Sequence, residues 1–240
     1  MEDARAYEEL RVGFTAAVSH ELRTPLARLS ALLDSAALPG ADHDALLAQA
    51  RDQVDEMSEL IDDVLFLSEL ESGREIVALG PTRALPVLEE VRARLADSAE
   101  RADVRILLDV DPPETTLPLR RRMLQVVVEN LALNSIRYAG PGATLTLTAR
   151  PGALEVADDG RGVEESDLPR LFERFYRSDR ARASRGTGLG LAIVKHVVVS
   201  AGGEVHASGG PGRGLRIRCT FPAPSGEPRS APGRSSSATP

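Results

Sequence analysis

The chain has 240 residues, 42% of them hydrophobic, which supports a sizeable core and fits two ordinary domains better than one large one. Aromatics make up only 3% and Trp is absent, so Leu, Val, Ala and Ile must build that core. A net charge of −7 argues against a general nucleic-acid binder, and with Cys219 as the only cysteine no intramolecular disulfide or cysteine-based metal site can form.

A single cysteine points to a reducing compartment, and the cytoplasm is expected. Met1 to Arg5 lacks the apolar core of a signal peptide, and no run of about eighteen apolar residues reads as a spanning helix.

From Ala4 to Ala37 the pattern is helical, with Leu10, Phe14, Val18, Leu22, Leu26, Leu29 and Leu33 forming one stripe. Leu38-Pro39-Gly40 breaks it, and Asp42 or Asp44 is placed to cap a second helix from Asp44 to Glu71. That helix carries the stripe Leu47, Ala50, Val54, Met57, Ile61, Val64 and Leu67, and Gly73 follows its last turn. An antiparallel hairpin of two such helices, roughly 45 Å long, buries too little apolar surface to stand alone. Its partner is either the rest of its own chain or a second copy. The length and continuity of the stripes favour a homodimeric four-helix bundle.

Past a linker at residues 73–80 the pattern becomes mixed. Helices are expected over Pro81 to Ala102, Arg120 to Ala139 and Thr187 to Ser200. Strands are expected over Val104 to Val110, Thr144 to Ala149 and Leu154 to Ala157, with a closing hairpin of Glu204 to Ser208 and Gly214 to Phe221. The Pro-, Ser-, Gly- and Arg-rich tail at residues 223–240 is expected to be disordered.

Several segments carry chemistry. Asp158-Asp159-Gly160-Arg161-Gly162 follows a strand, where a carboxylate can accept from the exocyclic amine of a purine, although Asp-Gly alone reads as a turn. Gly186-Thr187-Gly188-Leu189-Gly190 leads into a helix whose N–H groups and dipole suit an anion. It is not a P-loop, because no Lys follows at the required spacing. Phe172 and Phe175 anchor a basic loop, Ser178 to Ser184, that suggests a lid over phosphates. Asn130 and Asn134 share one helical face, with Arg137 and Tyr138 a turn on, an arrangement suited to Mg²⁺ and phosphate. His20 sits in Ser19-His20-Glu21-Leu22-Arg23-Thr24-Pro25; the stripe at Val18 and Leu22 turns it outward, and Glu21 can take or orient its second ring proton. Pro25 removes a hydrogen bond to the Glu21 carbonyl and is expected to kink the helix.

In order and wording these segments resemble the sensor histidine kinases of two-component systems. Ser19 to Pro25 resembles their phosphoacceptor H box, Asn130 to Tyr138 the N box, Asp158 to Gly162 and Gly186 to Gly190 the two glycine boxes, and Phe172 to Phe175 the F box. The resemblance implies an α helical hairpin forming a dimeric four-helix bundle at residues 1–72. An α/β two-layer Bergerat ATP-binding domain is implied at residues 81–222. It implies ATP and Mg²⁺ as cofactors, autophosphorylation of His20 assisted by Glu21, and phosphoryl transfer to an Asp of a response regulator receiver domain. Asn134 is the implied Mg²⁺ ligand, Asn130, Arg137 and Tyr138 line the triphosphate, and Asp158 reads adenine. Gly160, Gly162, Gly186, Thr187, Gly188, Leu189 and Gly190 shape the nucleotide pocket. Thr24 is placed by the resemblance to position a water that dephosphorylates the regulator.

Two positions depart from the family pattern: Asp159, where many members have Asn and where a carboxylate is expected to weaken nucleotide affinity, and Ser200, where a His is common. ATPases of the same fold carry a water-activating Glu where this chain has Asn130, and Glu129 is rotated about 100° away around the helix. Hydrolysis as the main activity is therefore disfavoured, as is a non-catalytic scaffold. In this family the first helix usually continues from a sensor or membrane module, which is expected to lie outside this chain.

Overall fold

The computed structural model describes residues 2–72, 80–178 and 186–222, with side chains from residue 15 onward. The expected linker, most of the expected lid and the expected tail lie outside the described residues, as do the side chains of Leu10 and Phe14.

Helix α1 (Glu2–Ala36) and helix α2 (His43–Glu71) form the hairpin. The turn between them uses Gly40 at φ +80°, and the Asp42 carboxylate caps α2 by accepting from the Ala45 N–H at 3.1 Å. α1 runs through Pro25 as one helix, with the Pro25 ring buried. Within one protomer, Leu26, Leu33, Leu47, Val54 and Ile61 stay between 45% and 65% exposed. Leu67, expected on the same stripe, instead joins Leu60 and Leu70 in the core shared with the rest of the chain. Residues 60, 63, 67 and 70 recur at steps of three and four, so α2 has a second working face.

The expected helix over Pro81 to Ala102 is broken in two places. Its start is a short strand β1 (Thr82–Arg83), followed by α3 (Ala84–Arg94) and α4 (Ala96–Arg101). Leu95, at φ −91° and ψ 1°, leaves helical geometry between the two helices. β1 pairs antiparallel with β3 (Thr116–Leu117), a ribbon too short to have a readable period.

The main sheet contains β2 (Arg105–Val110), β4 (Thr144–Arg150), β5 (Ala153–Asp158), β6 (Glu204–Gly209) and β7 (Leu215–Thr220). Their spatial order is β2-β4-β5-β7-β6, with β2 and β4 parallel and every other pair antiparallel. One face carries Leu145, Leu147, Ala149, Leu154, Val156, Ile217 and Cys219, all buried under α3, α5 (Arg121–Tyr138) and α6 (Gly190–Ser200). This two-layer α/β arrangement matches the expected fold class.

The period of two also decides where Asp158 points. It follows Leu154 and Val156 on the covered face, so its carboxylate turns toward α5 at a position where an aliphatic side chain would ordinarily sit. Helix α6 begins at Gly190 rather than Thr187, because Gly186 and Gly188 hold φ values of +145° and +70° that no α-helix accepts.

Candidate functional site

A cavity of about 270 Å³ opens between α5, the end of β5, the start of α6 and helix α2. Asn130, Asn134, Arg137 and Tyr138 line it from α5, Asp158 from the end of β5 and Gly162 from the segment after it. Gly186, Thr187, Gly188 and Gly190 line it from the glycine-rich entry to α6. Two expected pocket residues are not in its wall. Leu189 is fully buried in the core, and Gly160 is backed against Ala139, where an added Cβ would lie 2.3 Å from the Ala139 carbonyl oxygen.

Asp158 is held by three donors. The Ser135 hydroxyl donates to Oδ2 at 2.9 Å, and the N–H groups of Gly160 and Leu215 donate to Oδ1 at 3.1 and 3.3 Å. Burial pushes this carboxyl above its usual range, and those three bonds, Ser135 foremost, pull it back. The result is an acceptor-rich carboxylate beside the apolar walls of Ala139, Val163 and Leu215. An amine-bearing planar ring suits that place. Ser135 escaped the reading of the sequence because, five residues from Asn130 on α5, it reads as an ordinary helical serine. Only the strand parity of Asp158 brings the two together.

Asp159 does something different from what its position suggested. Its carboxylate accepts from the Thr144 N–H at 2.6 Å, tying the end of β5 to the start of β4, and it is not among the residues lining the cavity. Its charge still reaches the site through its neighbour, since Asp159 is among the causes that raise the Asp158 carboxyl.

The glycine-rich segment is shaped by its neighbours as much as by any ligand. A Cβ on Gly188 would come within 2.8 Å of the Phe175 backbone, and one on Gly190 within 2.5 Å of the Asn130 side-chain oxygen. Phe175 itself sits at φ +60°, a strained position for an aromatic residue, and its N–H donates to the Gly188 carbonyl at 3.0 Å. Phe175 and the second glycine segment are thus locked together by backbone contact. Asn130 spends its amide nitrogen on the Val126 carbonyl at 2.9 Å, which turns its oxygen toward Gly190 and the cavity. Amide oxygens of Asn130 and Asn134 in one wall are the hard donors a Mg²⁺-phosphate group accepts. Glu129 points elsewhere: it pairs with Arg94 and is not in the cavity wall.

His20 is exposed on α1 and is not among the residues lining the cavity; Glu21 beside it is half-buried. The Thr24 side chain is exposed one turn on, its hydroxyl donating back to the His20 carbonyl at 3.5 Å. A residue of α2 does enter the cavity. Asp63 lines it and accepts from the Thr187 hydroxyl at 2.7 Å, while Glu59 one turn earlier pairs with Arg137 at 3.0 Å. Neither carboxylate was singled out from the sequence, where both read as solvated positions on an acidic helix.

Comparison with known proteins agrees with this layout. The family model described as His Kinase A (phospho-acceptor) domain matches residues 10–73. The model described as Histidine kinase-, DNA gyrase B-, and HSP90-like ATPase matches residues 120–225. The chain is 36% identical over 224 residues to the Phosphate regulon sensor protein PhoR of Pseudomonas aeruginosa, covering 89% of this chain and 50% of that protein. To the Sensor-like histidine kinase SenX3 of Mycolicibacterium smegmatis it is 32% identical over 224 residues, covering 90% and 58%. The chain thus spans about half the length of the curated relatives it matches. Among solved structures, the histidine kinase AdeS of Acinetobacter baumannii superposes with a TM-score of 0.68 at 25% identity, covering 84% of this chain and 97% of that one. Full-length ShkA in complex with AMPPNP gives 0.61 at 28%, covering 87% and 46%. A phospho-acceptor hairpin followed by an ATPase-type α/β domain, each matched in that order, makes this chain a member of the sensor histidine kinase family.

Proposed function

We propose that this chain is the autokinase core of a two-component sensor histidine kinase. It takes ATP in the cavity beneath α6, transfers the γ-phosphoryl group to His20, and passes it to an aspartate of a response regulator receiver domain. The observation that carries the reading is the pairing, in one chain, of an exposed His20 followed by Glu21 with a separate cavity where Asn130, Asn134, Arg137, Asp158 and the glycine-rich segment converge.

In this reading Asp158, held by Ser135, accepts from the adenine amine, and Arg137, Thr187 and the α6 N-terminus meet the phosphates. Asn134, supported by Asn130, holds Mg²⁺, which offsets charge on the β- and γ-phosphates when bound. A ring nitrogen of His20 attacks phosphorus in line, a P–N bond forms as the bond to ADP breaks, and Glu21 takes or orients the proton on the other ring nitrogen. Glu129, paired with Arg94, is out of reach for activating water, which supports kinase over hydrolase chemistry.

Residues 1–72 act as the dimerisation and phosphotransfer unit and residues 81–222 as the catalytic unit. The exposed apolar row of Leu26, Leu33, Leu47, Val54 and Ile61 supports a homodimer, since a second hairpin would cover it. The receiver-domain partner is supported by the fold shared with ThkA, solved in complex with the response regulator TrrA at a TM-score of 0.71. Thr24, exposed one turn past His20, is placed to orient the water that removes the phosphoryl group from the regulator. No described helix is long and apolar enough to cross a membrane.

The test is incubation with γ-labelled ATP and Mg²⁺. Acid-labile, base-stable label that vanishes in His20→Gln is expected; label that survives in His20→Gln removes His20 as the acceptor.

A further inference from the structure

One acidic side chain of the hairpin sits where a polyanion is expected, and a second, outside the wall, holds an arginine that lines it. Asp63 enters the cavity and takes the Thr187 hydroxyl at 2.7 Å, and Glu59 takes the Arg137 guanidinium at 3.0 Å. Thr187 and Arg137 are a hydroxyl and a cation of the cavity wall near the glycine-rich segment that leads into α6. A phosphate chain arriving there meets both donors already engaged by carboxylates.

The contact is built rather than incidental. Leu60, Leu67 and Leu70 flank Asp63 on one face of α2 and are buried to between 1% and 4% exposure in the core of the α/β domain. Around that apolar seam, Arg174 pairs with Glu71, and the Arg122 guanidinium lies 5.7 Å from the centre of the Phe66 ring. His20 is outside the cavity wall, so in this docked arrangement the site and the acceptor are apart.

We infer that α2 is an internal competitor of the nucleotide: Glu59 and Asp63 stand in for phosphate groups, hold the catalytic domain against the hairpin in a resting arrangement, and must be displaced by the triphosphate before the domain can reach His20. This rests on the nucleotide reading given above. The triphosphate has the larger claim on these donors. A carboxylate has one charge and two acceptor oxygens, whereas a triphosphate offers several of each to the same donors. Asp63 is also costly to enclose: burial is the leading cause lifting its carboxyl above the usual range, with Glu59 and Asp62 adding to the rise and Thr187 and Arg137 opposing it. Displacement relieves that cost, so nucleotide entry and domain release become one event.

Calorimetric titration of the full chain with MgATP and, separately, with adenosine tests the competition. Glu59→Gln with Asp63→Asn keeps the shape and most hydrogen-bonding capacity while removing both charges. The double variant is expected to bind MgATP at least fivefold more tightly than wild type and adenosine within twofold, because adenosine carries no phosphate to compete. Glu71→Arg, which breaks the seam outside the cavity, is expected to tighten MgATP as well. Asp62→Asn, one residue along and outside the cavity wall, controls for simple loss of negative charge and is expected to stay within twofold. Unchanged or weakened MgATP binding in the double variant, equal tightening for adenosine, or equal tightening in Asp62→Asn overturns the competition. Failure of wild type and variants alike to bind MgATP instead overturns the nucleotide reading, and the competition falls with it.

Discussion

In the α/β domain Leu117, Leu119, Met123, Leu124, Leu145 and Leu147 are enclosed completely, whereas in the hairpin Leu26, Leu33, Leu47 and Ile61 keep about half their surface in water. The domain closes a sheet under helices and satisfies its own apolar surface. The hairpin has two apolar faces and one neighbour within the protomer: α2 gives Leu60, Leu67 and Leu70 to the domain and leaves the row containing Val54 and Ile61 open. The contrast is functional. A self-sufficient unit can hold a small ligand rigidly, while a unit completed by others can change partners, as the proposed phosphoacceptor role requires.

The largest expected separation between the two units is chemical. His20→Gln should lower label incorporation by at least about a thousandfold while leaving MgATP affinity unchanged, because the proposed nucleophile lies on one unit and the proposed binding cavity is lined mainly by the other, without His20. Loss of affinity alongside the label would blur the division.

Next in size are core substitutions. Leu147→Ala should destabilise the α/β domain by about 2–5 kcal/mol, read as a lowered unfolding midpoint, since its side chain is fully enclosed. Leu33→Glu should leave that midpoint within about 0.5 kcal/mol but shift the proposed dimer to monomer in light scattering, since within the protomer Leu33 is already 65% exposed.

A smaller effect sharpens the binding end. Asp158 accepts as a carboxylate, so MgATP affinity falls as pH is lowered through its raised pKa. Ser135 donates to the ionised form, and removing it lifts that pKa further. Ser135→Ala should therefore weaken MgATP binding by about tenfold and move the acid limb of the affinity profile to higher pH, with Asp158→Asn flattening that limb. An unshifted limb would mean that Ser135 only fills space. Smallest is Asp42→Ala, which removes the cap on α2 and should cost about 1 kcal/mol of hairpin stability by thermal melting.

Much of this was legible in one dimension. The heptad-like stripes located α1 and α2 and narrowed the cap of α2 to Asp42 or Asp44, of which the structure uses Asp42, because helix signals act over three or four residues. The alternation in Thr144 to Ala149 located β4. Asn130, Asn134, Asp158 and the glycines from Gly186 were recognisable by their wording, and most of them line one cavity. Errors arose where local pattern was overruled. Leu95 interrupts a run that reads as a continuous helix, and Gly186 and Gly188 keep Thr187 and Leu189 out of α6 through positive φ angles, Gly188 lying against the Phe175 backbone and Gly186 beside Tyr138.

By itself, then, the sequence determined the helical hairpin carrying His20, the α/β domain and the order of its chemical segments, because periodicity, caps and glycine-rich turns are short-range properties. Only the tertiary structure decided that Leu67 faces the α/β domain, that Asp159 fastens β4, that Ser135 holds Asp158, and that Glu59 and Asp63 hold Arg137 and Thr187. Each of these joins residues between 15 and 124 positions apart or two faces of one helix. Such pairings follow from sheet parity and from the docking of α2, which no local spacing encodes.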